Sequence, residues 1–243
     1  MSSVNGEEIT AKVLQSLEST PFAASSLDAL SGGTGNFIYR ATLRQPLEDG
    51  TTQVLVKHSE DYVASAPDFK LPLYRCLVEK CTLAELAHYP AVGKADESDP
   101  YNFIVRTPRF FNHYIGTHCQ AHEYLQNGIS LKEYALKTYA DSNAEATKQQ
   151  CLQLGKTLGR WLRGFHEWSA ERDGLRRLVA NNDDMQRIKH MINFDALFDR
   201  IKQFPSVLGD AEDVFRKVSG MNSEEWDVED ELLVIHGDFW TGK

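Results

Sequence analysis

The chain has 243 residues, 42% hydrophobic and 25% charged, which suits one large or two small globular domains. Its formal net charge of -9 argues against general nucleic-acid binding, which needs clustered Lys and Arg. It has no apolar run of about 18 residues to cross a membrane, and its start lacks the basic end and apolar core of a signal peptide.

The four cysteines, Cys76, Cys81, Cys119 and Cys151, show neither C-x-x-C nor Cys/His metal spacing. Buried or idle thiols in a reducing, cytoplasmic setting are expected.

In chain order, Ile9, Val13, Leu14 and Leu17 share a helical stripe. Ser31-Gly32-Gly33-Thr34-Gly35 follows as a flexible turn. Residues 36–43 then alternate as a strand, with Phe37, Tyr39, Ala41 and Leu43 on one face. Asp49-Gly50 signals a hairpin turn into a second strand over 52–58. Residues 70–87 become helical in their later part, with Leu77, Leu83, Leu86 and Ala87 apolar. Residues 101–106 and 118–125 are further strand candidates, separated by the break at Thr107-Pro108.

Beyond Gln126-Asn127-Gly128 the pattern turns helical. Ser130 with Glu133 has the capping-box form, and Ser142 with Glu145 repeats it. Leu154, Leu158, Trp161, Leu162 and Phe165 make one long apolar stripe. Phe194, Leu197, Phe198 and Ile201 make another, stopped by Pro205. Val214, Phe215 and Val218 suggest a short helix ending at Gly220. The acid-rich stretch 224–231 reads as a solvated loop, or as an attraction for a cationic substrate. Strands first and helices afterwards point to an α+β protein.

The apolar run Leu232–Ile235 leads into His236-Gly237-Asp238, where two motifs compete. Gly237 to Lys243 spells G-x-x-x-x-G-K, the start of a P-loop. No Ser or Thr follows the Lys, however, and bulky Phe239 and Trp240 sit where the backbone must approach phosphate. His236-x-Asp238 instead fits the catalytic loop H-x-D-x-x-x-x-N of phosphotransferases, in which the Asp accepts the substrate hydroxyl proton.

Upstream residues favour the second motif. The glycine turn reads either as an ordinary hairpin or as a loop whose backbone N–H groups approach phosphates. Lys57, near the end of its strand, is either a solvated edge residue or a phosphate contact. Glu79 is preferred over Glu85 as its partner because it shares a helical spacing with Leu83 and Leu86. The strand that ends at Glu123-Tyr124-Leu125 frees backbone groups that can read an adenine edge. His166, Trp161 and Trp168 read as packed structural residues, and His236 as a hydrogen-bonding support for its loop.

Five segments carry a family resemblance: Leu30-Ser-Gly-Gly-Thr-Gly-Asn-Phe-Ile-Tyr-Arg40, Val54-Leu-Val-Lys57, His122-Glu-Tyr-Leu125, Leu158-Gly-Arg-Trp-Leu-Arg-Gly-Phe-His166 and Val234-Ile-His-Gly-Asp-Phe-Trp-Thr-Gly242. In this order the chain resembles the aminoglycoside phosphotransferase and choline kinase group, with its protein-kinase-like fold. The resemblance implies an α+β two-lobe architecture, with a small antiparallel-sheet N-lobe over 1–125 and an incomplete helical C-lobe over 126–243. It implies ATP and Mg²⁺ as cofactors and a small-molecule hydroxyl as acceptor.

It also implies roles for individual residues. Gly32, Gly33, Gly35 and Asn36 would lie at the phosphate loop, Lys57 on the phosphates, Glu79 on Lys57, and the backbone of Glu123 and Leu125 at adenine. Asp238 would be the base, with His236 supporting its loop. The family's metal-binding Asn falls on Lys243, and its metal-binding Asp would follow later. A C-terminally truncated, impaired member is therefore expected. A pseudokinase that holds nucleotide or a partner, or a truncated gene product, stands as the alternative.

Overall fold

A computed structural model describes residues 3–31, 33–93, 99–140, 144–225 and 233–235. These residues are α+β, with strands preceding Gln126 and helices dominating after it, consistent with a small sheet lobe followed by a helical one. By contact density the chain divides into two compact units, one taking in the described residues up to Phe165 and the other running from His166 to Ile235.

The first unit opens with helix α1 (Ser3–Leu17) and is built on a five-stranded antiparallel sheet. Its strands are β1 (Ala24–Ala29), β2 (Phe37–Leu43), β3 (Gln53–His58), β6 (Phe110–Tyr114) and β7 (Cys119–Glu123), in the order β1-β2-β3-β7-β6. Two short strands, β4 (Tyr62–Val63) and β5 (Ala66–Lys70), form a separate hairpin before helix α2 (Tyr74–Leu86).

Strand alternation sorts the sheet residues onto two faces. Tyr39, Ala41 and Leu43 of β2, Val54 and Val56 of β3, and Cys119 and Ala121 of β7 form one core with Ile9, Val13 and Leu17 of α1. These residues are apolar at every second strand position and at helical spacing on α1, so each element buries its apolar side. The opposite face carries Ile38, Lys57, Gln120 and His113, which lie side by side across β2, β3, β7 and β6.

The β2–β3 hairpin turns at Asp49-Gly50. Gly50 has φ 84°, and the Asp49 carboxylate accepts the Thr51 N–H at 3.0 Å. β6 and β7 are joined through a tight turn that closes with His118 at φ 53°. After β7, Asn127 takes φ 60°, and the Ser130 hydroxyl accepts the Glu133 N–H at 3.1 Å to start α3 (Leu131–Tyr139). Helix α4 (Glu145–Ala170) follows, with Trp161 and Phe165 of its apolar stripe buried. Tyr89 packs edge-on against Trp161 and donates its hydroxyl to the Trp161 carbonyl at 2.9 Å. A Cβ on Gly164 would lie 2.5 Å from that hydroxyl, so the close approach needs glycine there.

The second unit continues α4 and adds α5 (Asp173–Ala180), α6 (Asp183–His190), a π-helical turn (Met191–Asp195), α7 (Ala196–Gln203), α8 (Pro205–Leu208) and α9 (Glu212–Glu225). Leu175 and Ile201 are buried in it, and Arg216 lies over the Phe198 ring at 5.5 Å.

Several sequence expectations differ from the structure. Residues 101–106 form no strand; only Val105 bridges to Val92, and the strand beside β7 is β6. β6 lies beyond the Pro108 break and reaches β7 through the short turn, which leaves the earlier run no partner in the sheet. β1 and the β4–β5 hairpin were not anticipated, because Ser25, Ser26, Asp28, Pro67 and Asp68 mask the strand signal. Gly220 does not stop its helix: α9 runs on to Glu225, so part of the expected acidic loop is helical.

Candidate functional site

Lys57 stands on the sheet face opposite α1, and α2 delivers Glu79 to it. The Lys57 ammonium and a Glu79 carboxylate oxygen (Oε1) form an ion pair. Lys57 projects from β3, the central strand, where pairing on both sides fixes its direction. The pair is partly screened, with side-chain exposures of 18% for Lys57 and 34% for Glu79.

The glycine turn closes over the same face. A Cβ on Gly33 would fall 2.5 Å from Ile38 Cδ1, and Ile38 is the direct neighbour of Lys57 across the β2–β3 ladder. Gly33 therefore brings bare backbone against the sheet beside the lysine. Gly35 is less constrained, since its Cβ would meet Leu71 at an ordinary 3.7 Å. The turn is anchored from outside: the Thr34 carbonyl accepts the Ser65 N–H at 3.0 Å and the Ser65 hydroxyl at 3.1 Å.

Asn36 fastens the end of the turn. Its side-chain oxygen accepts from the Ser59 hydroxyl at 2.7 Å and from Arg75 Nη2 at 3.1 Å. Arg75 also donates to the Glu60 carbonyl at 3.0 Å and to the Leu71 carbonyl at 2.8 Å. Burial lowers its pKa from the usual arginine value, but a guanidinium stays charged under ordinary conditions. Arg75 thus ties the start of α2 to the glycine turn. The sequence reading passed over Ser59 and Arg75 in this role, although Arg75 lies one helical turn before Glu79 on α2.

Behind the ion pair lies a second layer. The Gln120 amide donates to Glu79 Oε2 and to the Cys76 carbonyl, each at 3.4 Å, and its oxygen lies 3.1 Å from His122 Nε2. His122 packs edge-on against Phe110. Burial pushes the His122 pKa down to about 4, with Lys57 and His113 adding to the shift and Glu79 opposing it. Neighbouring His113 is 8% exposed, and neither ring nitrogen has a partner among the described residues. Burial lowers its pKa too.

At the end of β7, the Glu123 N–H is already committed, donating to the Arg109 carbonyl at 2.7 Å. The Glu123 carboxylate takes a two-pronged grip from Arg106, 2.6 Å on each oxygen, and accepts the Arg109 N–H at 2.9 Å. The Arg106 bonds lead in lowering its pKa to about 2. The Leu125 N–H has no partner among the described residues, while the Leu125 carbonyl accepts from Gly128 at 3.0 Å. Its side chain is exposed.

Of the residues singled out from sequence, the structure brings Lys57 and Glu79 together, with Gly33 over the neighbouring Ile38. Asn36 is joined to them through α2, and Glu123 and Leu125 lie at the end of β7. Gly32, His236, Asp238 and Lys243 lie outside the described residues. Among the described residues, no group of three or more His, Cys, Asp and Glu side chains could hold a metal ion. No described helix is long and apolar enough to cross a membrane.

No protein-family model matches the chain. The chain is similar to Phosphotransferase FrzJ from a Cladobotryum species, with 28% identity over 246 aligned residues. The alignment covers 98% of this chain and 63% of that protein. The name of that similar protein agrees with a cation held by a carboxylate beside a glycine turn.

Proposed function

We propose that this chain carries the nucleotide-binding part of an ATP-dependent phosphotransferase that acts on a small-molecule hydroxyl. The observation that carries the reading is the partly screened Lys57–Glu79 pair beside the Gly33 turn. ATP fits the residues present. Backbone at Gly33 can approach phosphate without a side chain, Lys57 supplies a cation, and the Leu125 N–H is available to an adenine acceptor. Bound ATP would supply the phosphoryl group. Glu79 aims the Lys57 ammonium and limits its freedom, so the charge is already in place when phosphate arrives.

Asp238, assigned from the His236-x-Asp238 motif, would orient the acceptor hydroxyl and take its proton. Mg²⁺ belongs to the same reading, but the described residues offer it no cluster of ligands. Lys243, at the motif's Asn position, favours a second reading in which nucleotide is held without turnover.

The test is ATP binding by the purified chain, with and without Mg²⁺, followed by calorimetry and thermal shift. ATP should raise the melting temperature, and Lys57→Met should weaken affinity at least about tenfold, the scale of a lost charge-assisted contact. No ATP binding by the wild-type chain would overturn the proposal. Mg²⁺-independent binding without phosphate transfer would select the second reading.

A further inference from the structure

The most confined polar group on the Lys57 face is Gln120, the second residue of β7 and 1% exposed. A buried amide is costly unless both its ends are paired, so its partners are informative. Two acceptors, the Cys76 carbonyl and Glu79 Oε2, lie on one side, and the His122 ring lies on the other. Only one amide orientation suits this arrangement: the NH₂ must face the two acceptors, which leaves the oxygen toward His122. His122 must then carry a proton on Nε2.

The result is a chain that converges on Glu79: His122 donates to Gln120, Gln120 donates to Glu79, and Lys57 donates to Glu79 from the other side. Glu79 uses its two oxygens separately, Oε1 on Lys57 and Oε2 on Gln120. The Glu79 side chain is one-third exposed (34%), so water competes for its carboxylate, whereas Gln120 is sealed in place. The same amide also touches the Cys76 carbonyl, one turn earlier on α2, and so sets both the helix and the carboxylate against the sheet.

We infer that Gln120, oriented by His122, is a positioning residue that holds Glu79 on Lys57. Its part in nucleotide binding rests on the phosphotransferase reading; its part in the ion pair does not.

The experiment is trace acetylation of the intact chain, with each lysine quantified by mass spectrometry and Lys57 referred to exposed Lys70. Glu79→Gln sets the scale for a released Lys57. Gln120→Leu and His122→Leu should raise relative labelling of Lys57 about threefold, the equivalent of one modest hydrogen bond. His122→Gln keeps a donor toward Gln120 and should label like wild type. A merely structural Gln120 would lower the melting temperature without singling out Lys57. Unchanged Lys57 labelling in Gln120→Leu, or in Glu79→Gln, overturns the assignment. Should Gln120→Leu fail to fold, Gln120→Met and His122→Leu decide, and unchanged labelling in both overturns it. ATP affinity is measured on the same set. If wild type binds no ATP, the phosphotransferase reading falls, while the labelling still decides the role of Gln120.

Discussion

Single side chains on the Lys57 face make distinct predictions. Gly33→Ala would place a methyl 2.5 Å from Ile38 Cδ1 and 2.8 Å from Ile38 Cγ1, so either Ile38 leaves its rotamer or the turn lifts. The expected cost is about 1–2 kcal/mol in urea unfolding, with part regained in the Gly33→Ala/Ile38→Ala double variant. A double variant no more stable than Gly33→Ala would place the strain elsewhere. His122 makes a pH prediction. Its folded pKa of about 4 lies below the ordinary 6.5, so below neutrality the unfolded chain binds a proton that the fold refuses. The stabilisation is complete above 6.5 and is lost as pH falls toward 4, by up to about 3 kcal/mol. Buried His58 and His113 add in the same direction. His122→Gln should flatten the fall in melting temperature across this window, and an unaltered pH profile would refute that assignment. Lys57 and Glu79 were legible because a strand lysine and a helix glutamate form a pairing with a known spacing logic. Gln120 was not: a strand glutamine carries no signal until the register places it between α2 and His122.

At the scale of elements, α1 and the sheet were legible where apolar residues kept strict periods. Val13 and Leu17 are almost completely buried against β2, β3 and β7. Val13→Ala and Leu17→Ala should each cost about 2–4 kcal/mol by chemical denaturation. A loss well under 1 kcal/mol would mean that α1 does not close this core. β1 was hidden because half of its side chains, Ser25, Ser26 and Asp28, are exposed and polar, which leaves no alternation to read. α9 shows the reverse error, a stop inferred from a glycine that the helix simply contains. Gly220 has open space around its Cβ position, so Gly220→Ala should stabilise the chain by about 0.5–1 kcal/mol. A lowered melting temperature would show that the position needs glycine after all.

Across the whole molecule, the α+β order was legible because the strand-rich and helix-rich stretches change over at a single point, the Asn127 turn. The finer arrangement was not, since sheet order β1-β2-β3-β7-β6 depends on pairings between distant residues that no local pattern reveals. β3 is flanked by two strands on one side and two on the other, while β1 and β6 are the edges. Opening the sheet from either edge therefore leaves β3 until last. In deuterium exchange, the Val54–Lys57 amides should be among the slowest in the first unit, and those of β1 and β6 much faster. The lysine proposed to meet phosphate would then ride on the slowest-opening strand, and the backbone beneath it would stay closed while the glycine turn and the sheet edges move.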